Sequence, residues 1–280
     1  MSMINFMLPG AYEQFPLNKA VIEFYHTHPQ YFIENFNIGA CFGNFHFTIW
    51  DGGRTFVEYH PASYEQIIEV RDFYKKFNIP LRFVYTNPVL EPVHLTDRFN
   101  NLVTSLCEDE NNEIVVNSDI LEDYLRIQYP KYKFISSTTK CLSKTSESVE
   151  ELKKDYYLVC LDYNLNKNYK YLESIPDEDK KKVEFLVNAI CPPGCPNRKH
   201  HYFLNGIEHL SYNRKYFIDC AIKEGLNHPD TINYKTTITL EDIYNYYLPH
   251  GFNNFKIEGR TVSPGELICT YARLFIKPEY

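Results

Sequence analysis

The feature that most constrains this chain is a rhythm: short apolar and β-branched runs recur along it, each followed by a longer polar or amphipathic stretch. The runs fall at 36–42, 81–87, 113–118, 133–138, 156–163, 182–189 and 255–260, with a weaker one at 234–239. Over most of the chain they begin about twenty to forty-five residues apart, long enough for the crossover that joins two parallel strands and too long for a meander of hairpins. The intervening segments carry helical stripes. Ile67, Ile68, Val70, Phe73 and Tyr74 follow Ser63, and Leu121, Tyr124, Leu125 and Ile127 follow a cap at Ser118 or Asp119. Ser263 and Pro264 open a final helix with Leu267, Ile268, Tyr271 and Leu274 on one face. Up to eight such units in 280 residues predict an α/β fold, a (β/α) barrel of TIM type, irregular in places, filling 1–280 as a single domain.

Composition agrees with a large core. The chain is 44% hydrophobic and 23% charged, with 24 Tyr and 20 Phe, which excludes a disordered or collagen-like chain. A net charge of -7 and the lack of any Lys/Arg run disfavour nonspecific binding to a phosphate backbone, so a nucleic-acid partner is unsupported. The start MSMINFMLPGAYEQF has neither a basic leader nor an apolar stretch of signal-peptide length, and no window holds the ~18 apolar residues of a membrane span. The expectation is a cytoplasmic protein with no membrane span. Its 8 cysteines are too sparse for a secreted disulfide scaffold and are expected to be core thiols or metal ligands. The sequence names no protein partner.

Each run ends in a polar group: Asn87, Asn117, Ser136 and Ser137, Asp162 and Asn164, Asn188, and Glu258 with Arg260. In a parallel barrel the C-terminal strand ends share one rim, so these groups are expected to line one pocket for a small or anionic substrate. The alternative is that they only announce turns.

The sharpest local motif is CPPGCP. Cys191 and Cys195 are held three residues apart by two prolines, and Gly194 lets the backbone turn between the sulfurs. Two thiolates facing one centre suit zinc or an iron-sulfur cluster, and ordinary thiols in a stiff loop are the plainer alternative. A four-ligand site needs two more donors, for which Cys41 and Cys220 are the candidates. Cys269 falls in the final helix, Cys160 in an apolar run, and Cys107 and Cys141 stand alone. Arg198, Lys199, His200 and His201 follow the motif, and the adjacent histidines are expected to point apart. Asp51, Gly52, Gly53 and Arg54 behind Trp50 form either an anion cradle with a stacking ring or a turn with a core anchor. His94, Asp97 and Arg98 are either an acid-base loop or a solvated cap.

The string FKIEGR at 255–260 and the CPPGCP loop after VEFLVNA resemble the signatures of the collagenase-like peptidases of unassigned catalytic type, family U32. The resemblance implies a barrel with its site on the rim, Glu258 and Arg260 as catalytic rim residues, and Cys191 and Cys195 as ligands. Several members of that family resemble oxygen-independent hydroxylases with a four-cysteine [4Fe-4S] cluster. The family's tight downstream cysteine group is missing here, and only Cys220 stands near it. Three functions therefore stand open: a cluster-bearing redox enzyme of the hydroxylation type, a peptidase-like or other hydrolase without a cluster, and a noncatalytic ligand-binding barrel. In the first, Arg260 holds an anionic group while Glu258 accepts a proton; the alternative is that the two form a structural ion pair closing the last strand against the first. The cofactor expectation is correspondingly a [4Fe-4S] cluster, zinc, or none.

Overall fold

The structure, a computed structural model, describes residues 2–56, 60–214 and 228–280. Along the chain it runs β1 (Ile4–Pro9), α1 (Phe15–Thr27), β2 (Phe36–Gly43), α2 (Tyr64–Lys76), β3 (Leu81–Tyr85), α3 (Arg98–Leu106), β4 (Glu113–Val116), α4 (Asp119–Gln128) and β5 (Lys133–Ser136). It continues through α5 (Thr145–Leu152), β6 (Leu158–Cys160), α6 (Tyr169–Ser174), α7 (Asp177–Lys180), β7 (Val183–Leu186), α8 (Arg198–Ser211), α9 (Leu240–Asp242), β8 (Asn254–Lys256) and α10 (Pro264–Phe275). The eight strands are parallel, ordered as in the sequence, and closed into a barrel by β1 pairing with β8. This is the α/β TIM-type barrel that the rhythm of the sequence predicts.

Two elements differ from the sequence reading, and they exchange roles. Residues 234–239 form no strand. Thr237 N donates to the Tyr234 carbonyl at 2.9 Å in a turn, Thr237 Oγ1 donates to the Thr231 carbonyl at 2.6 Å, and Thr239 caps α9 by accepting from Asp242 N at 3.1 Å, so the segment turns at one end and starts a helix at the other. No gap is left for a strand there, because β7 pairs β8 directly, Glu184 opposite Asn254. The missing eighth strand is β1. Ile4, Phe6 and Leu8 pack outward on the helices, while Asn5 and Met7 point into the barrel, where Asn5 Oδ1 accepts from Asn37 Nδ2 and Asn5 Nδ2 donates to Asn254 Oδ1.

The outer core lies between strands and helices, where Phe6, Phe36 and Phe275 meet at centroid distances of 4.8–5.8 Å. Inside the barrel, Met7, Ala40, Phe42, Val84, Val115, Ile135 and Leu158 form a separate apolar cluster. Toward the N-terminal strand ends, Arg82 is buried between Glu113 and Glu184, donating to Glu113 Oε2 at 2.6 Å and, more closely, to Glu184 Oε2. Such a trio needs every charge matched, since removing one partner strands the others in low dielectric. That leaves the C-terminal strand ends for the site. No helix among the described residues is long and apolar enough to cross a membrane.

Candidate active site at the C-terminal rim

Of the polar groups at the strand ends, Ser137, Glu258 and Arg260 line one cavity, whereas Asn87, Asn117, Ser136, Asp162, Asn164 and Asn188 are outside its lining and bond neighbouring backbone and side chains. This cavity, of about 210 Å³, opens at the C-terminal face, with Phe42, Val84 and Leu186 in its apolar floor. Its polar wall includes Thr138, Cys191, Arg198, His201, Lys256 and Glu258. The volume suits a small molecule or the end of a chain, below the size of a typical drug-sized site.

One side of the rim is a closed ionic network. Arg260 grips Asp51 with two bonds, 2.6 Å from Nη1 to Oδ2 and 3.2 Å from Nη2 to Oδ1, and reaches Glu13 at 3.5 Å. Arg54 bonds the same two acids, 3.2 Å to Glu13 and 3.3 Å to Asp51. Burial opposes ionisation of Asp51, but Arg260, His209 and Arg54 override it and hold the carboxyl well below the usual range. Glycine makes the loop possible at Gly52, where a Cβ would fall 2.7 Å from Asn87 Cα. The Asp51 turn therefore receives this chain's own guanidinium, and Trp50 is a buried anchor whose indole donates to the His94 carbonyl at 2.9 Å. Arg260, expected to hold an anionic substrate group, is committed to Asp51 and Glu13.

Next to that network the rim is chemically open. Lys256, Glu258 and Arg260 alternate along one strand direction and all line the cavity, with Ile257 turned into the outer core. Asn188 holds the Glu258 backbone from both sides, donating to its carbonyl at 2.9 Å and accepting from its N–H at 2.8 Å. The Glu258 carboxyl accepts from Ile190 N at 2.9 Å and, among the described residues, forms no ion pair. Burial pushes its pKa up, and the Ile190 N–H with the Lys256, Arg198 and Arg260 charges offsets only part of that. Lys256 is 7% exposed and lies over the Phe42 ring, 4.3 Å from its centroid. Burial pushes its amine down despite Cys160 and Glu184 nearby, and Arg82 and Arg260 add to the effect.

Between the two sides stands α8. Its Arg198 pairs closely with Asp162, donates from Nε to Cys141 Sγ at 3.2 Å, and stacks 4.5 Å over Tyr163. His201 faces the cavity while His200 faces solvent, the divergence expected of helical neighbours. Burial, then the His200 charge, lowers the His201 pKa. His209 lies 2.9 Å from the Thr48 carbonyl and 3.1 Å from that of Arg54, tying α8 to the network loop.

Of the cysteines, Cys191 lines the cavity and its thiol interacts with Cys195 and Tyr163. Burial pushes Cys191 up to about 12, and contact with Cys195 adds to this, so in this arrangement the sulfur is a thiol. Cys41 is not brought to them. It lies inside β2, facing the helices beside Tyr74, because its neighbours Ala40 and Phe42 take the inward positions and successive strand residues alternate. Cys220 lies outside the described residues. Among the described residues no group of three or more His, Cys, Asp or Glu is placed to hold a metal ion, so the donors present fall short of a four-thiolate cluster. Cys160 is buried in β6 as a core residue, and Cys269 is exposed on α10. His94 accepts from Glu91 N and Asp97 caps α3, so that loop is a cap.

Lys256 and the partnership of Asp51 with Arg260 escaped the reading of the sequence. The signal for Lys256 was the period-two alternation within FKIEGR, which puts it on the face of Glu258. The Asp51 partnership spans 209 positions and exists only once the barrel closes.

Such a rim defines a class, the (β/α)-barrel proteins whose sites sit at the C-terminal strand ends. Within it, the fold is similar to that of the U32 peptidase Mk0906, with a TM-score of 0.55, 12% identity, and coverage of 92% of this chain and 94% of that one. The sequence is 23% identical over 210 residues to an uncharacterized protease of Methanocaldococcus jannaschii. That match takes in 72% of this chain and 62% of the relative's length. No family model matches. The two likenesses agree with the distant relationship to the U32 peptidases that FKIEGR and CPPGCP suggest.

Proposed function

We propose that this protein is a U32 peptidase-like hydrolase that acts at the C-terminal rim on a small substrate, or on the end of a peptide, bearing an anionic group. The observation that carries the reading is Glu258, a carboxyl on the cavity wall that forms no ion pair among the described residues and that burial makes a stronger base than an exposed carboxylate. Asp51 and Asp162, two other carboxylates of the rim, are each bound by a guanidinium. A carboxyl so placed accepts a proton from water as the water oxygen attacks a carbonyl carbon, and returns it to the leaving nitrogen or oxygen. Lys256 stands beside it on the same wall, where its amine can donate a hydrogen bond to a substrate oxygen in either protonation state.

The test is hydrolysis of a library of short acidic peptides and their ester analogues in ¹⁸O-labelled water, followed by mass spectrometry. The wild type is expected to release products carrying one labelled oxygen, and Glu258→Gln is expected to lose that activity while staying folded. Folded wild type that cleaves nothing in the library, or a Glu258→Gln variant that cleaves as well as wild type, overturns the reading.

A second reading is kept by one observation, the contact between the Cys191 and Cys195 thiols at the cavity edge. With Cys220 and one further donor they would make a redox site of the oxygen-independent hydroxylation type. The described residues supply two of the four thiolates, and no step is assigned to a cluster. Anaerobic purification with iron, sulfide and zinc analysis, on wild type and on the Cys191→Ala, Cys195→Ala pair, decides it.

A further inference from the structure

We infer that the Lys256 side chain is a carbonyl-capturing amine, placed to form an imine with a small aldehyde or 2-oxo acid in the rim cavity. This activity is separate from the hydrolytic reading and uses the same cavity.

This chain treats its buried cations unequally. Among the described residues two lysines are buried, Lys180 and Lys256. Lys180 is matched by Asp177 at 2.7 Å, whereas Lys256 makes no hydrogen bond or ion pair among the described residues. Every arginine around it is matched: Arg260 by Asp51, Arg198 by Asp162, Arg82 by Glu113 and Glu184. A buried, unmatched ammonium costs free energy, and a lysine relieves that cost by giving up its proton. Burial is the largest influence on it. The floor beside it is apolar, with Phe42, Val84 and Leu186; Arg82 and Arg260 add like charge, while Cys160, Glu184 and Glu258 oppose the shift without overturning it. A desolvated lysine beside other cations is a recurrent form of nucleophilic amine.

The second requirement of imine chemistry is a proton carrier for the carbonyl oxygen. Glu258 stands two residues further along the strand, on the same cavity wall, with a carboxyl that burial favours in its protonated form. The amine lone pair forms the N–C bond as the C=O π pair moves to oxygen, which takes the Glu258 proton. The nitrogen then returns a proton to Glu258. A second transfer from the same carboxyl releases the hydroxyl as water and leaves the protonated imine, C=N–H⁺, beside the Glu258 carboxylate. The net change is one amine, one carbonyl and one carboxylic acid converted to one protonated imine, one water and one carboxylate, with no oxidant or reductant consumed.

Reductive trapping tests this without any need for hydrolytic turnover, so the two readings fail separately. The full chain is incubated with glyoxylate and sodium cyanoborohydride near neutral pH, and the sites of carboxymethylation are read by peptide mapping. Lys256 is expected to be modified first, before the exposed lysines, and its trapping rate is expected to reach half-maximum at a lower pH than theirs. Lys256→Arg keeps a positive charge and is expected to abolish the fast adduct, with the slow surface adducts unchanged. Glu258→Gln is expected to slow trapping at Lys256 by about a hundredfold, the usual scale of a lost proton carrier. Circular dichroism checks that both variants fold. Modification of Lys256 no faster than that of exposed lysines overturns the inference and makes Phe42 the seat of a permanent ammonium. A fast adduct that persists in Lys256→Arg also overturns it.

Discussion

The two sides of the rim are built from the same residue types and do opposite things. On one side Asp51, Glu13, Arg54 and Arg260 satisfy one another in a network with side chains 0–9% exposed. On the other, Lys256 and Glu258 face the same cavity without forming ion pairs among the described residues. The first side closes the β2 loop onto the end of β8 and makes the rim rigid. The second leaves an amine and a carboxyl that burial pushes toward their neutral forms, which costs stability relative to a matched pair. Charge alone does not mark a site, and what separates these regions is whether the charge is already answered.

The sharpest way to break the comparison is Glu258→Gln. Loss of the proton carrier is expected to lower kcat/KM on any cleaved substrate by about 10² to 10⁴-fold. Thermal unfolding at neutral pH is expected to be unchanged or improved, because the variant replaces a carboxyl that burial penalises. A large drop in melting temperature would place Glu258 on the matched side instead.

Asp51→Ala is the complementary experiment. It leaves Arg260 and Arg54 buried with Glu13 alone, and is expected to destabilise the fold by about 3–5 kcal/mol in urea titration. The effect on activity should follow from lost folded protein. A variant of unaltered stability would show that the network is not what closes the rim.

The pH dependence of the two sides has opposite sign. Asp51 is held below its ordinary value, so its contribution is present above the unfolded carboxyl value of about 3.9 and is lost as pH falls through the lower folded value. Glu258 is raised, so its favourable contribution is present below about 4.3 and is lost as pH rises through the higher folded value. Unfolding free energies measured by urea from strongly acidic to neutral pH should therefore show Glu258→Gln gaining on wild type as pH rises. Asp51→Asn should fall furthest behind wild type at neutral pH and recover ground in acid. Parallel curves for wild type and both variants would remove the distinction.

The barrel was legible because strands covered on both faces read as short apolar runs at crossover spacing, as at 113–116 and 183–186. β1 was not, because Asn5 interrupts the run and Pro9-Gly10 ends it early, so its outer residues only look like a strand once α1 and α10 cover them. Residues 234–239 have strand-like Ile and Thr residues, but their hydroxyls cap and turn the local backbone. The convergence of strand ends on one rim followed from topology alone. Which rim charges remain unmatched did not, because Asp51 and Asp162 find their guanidiniums across 209 and 36 positions. Cys41 shows a related limit: a strand buried on both faces gives no phase, so sequence does not say that Ala40 and Phe42 point inward and the thiol outward.

The smallest expected effect tests the boundary between the two sides. Cys191 packs on Tyr163, Leu186 and Ala189, and its partner Cys195 is only partly covered. Replacing both with alanine removes two modest apolar contacts and the thiol interaction with Tyr163, and should cost about 1 kcal/mol or less per site if no metal is bound. A bound metal or cluster contributes folding free energy of its own, so the same substitutions would then cost several times more, together with loss of iron and sulfide or of zinc. The size of the loss thus reads the chemistry of the loop without a substrate. A small cost with no metal in either protein leaves Glu258 and Lys256 as the chemistry of the open side, while a large cost with loss of metal moves its centre to the CPPGCP loop.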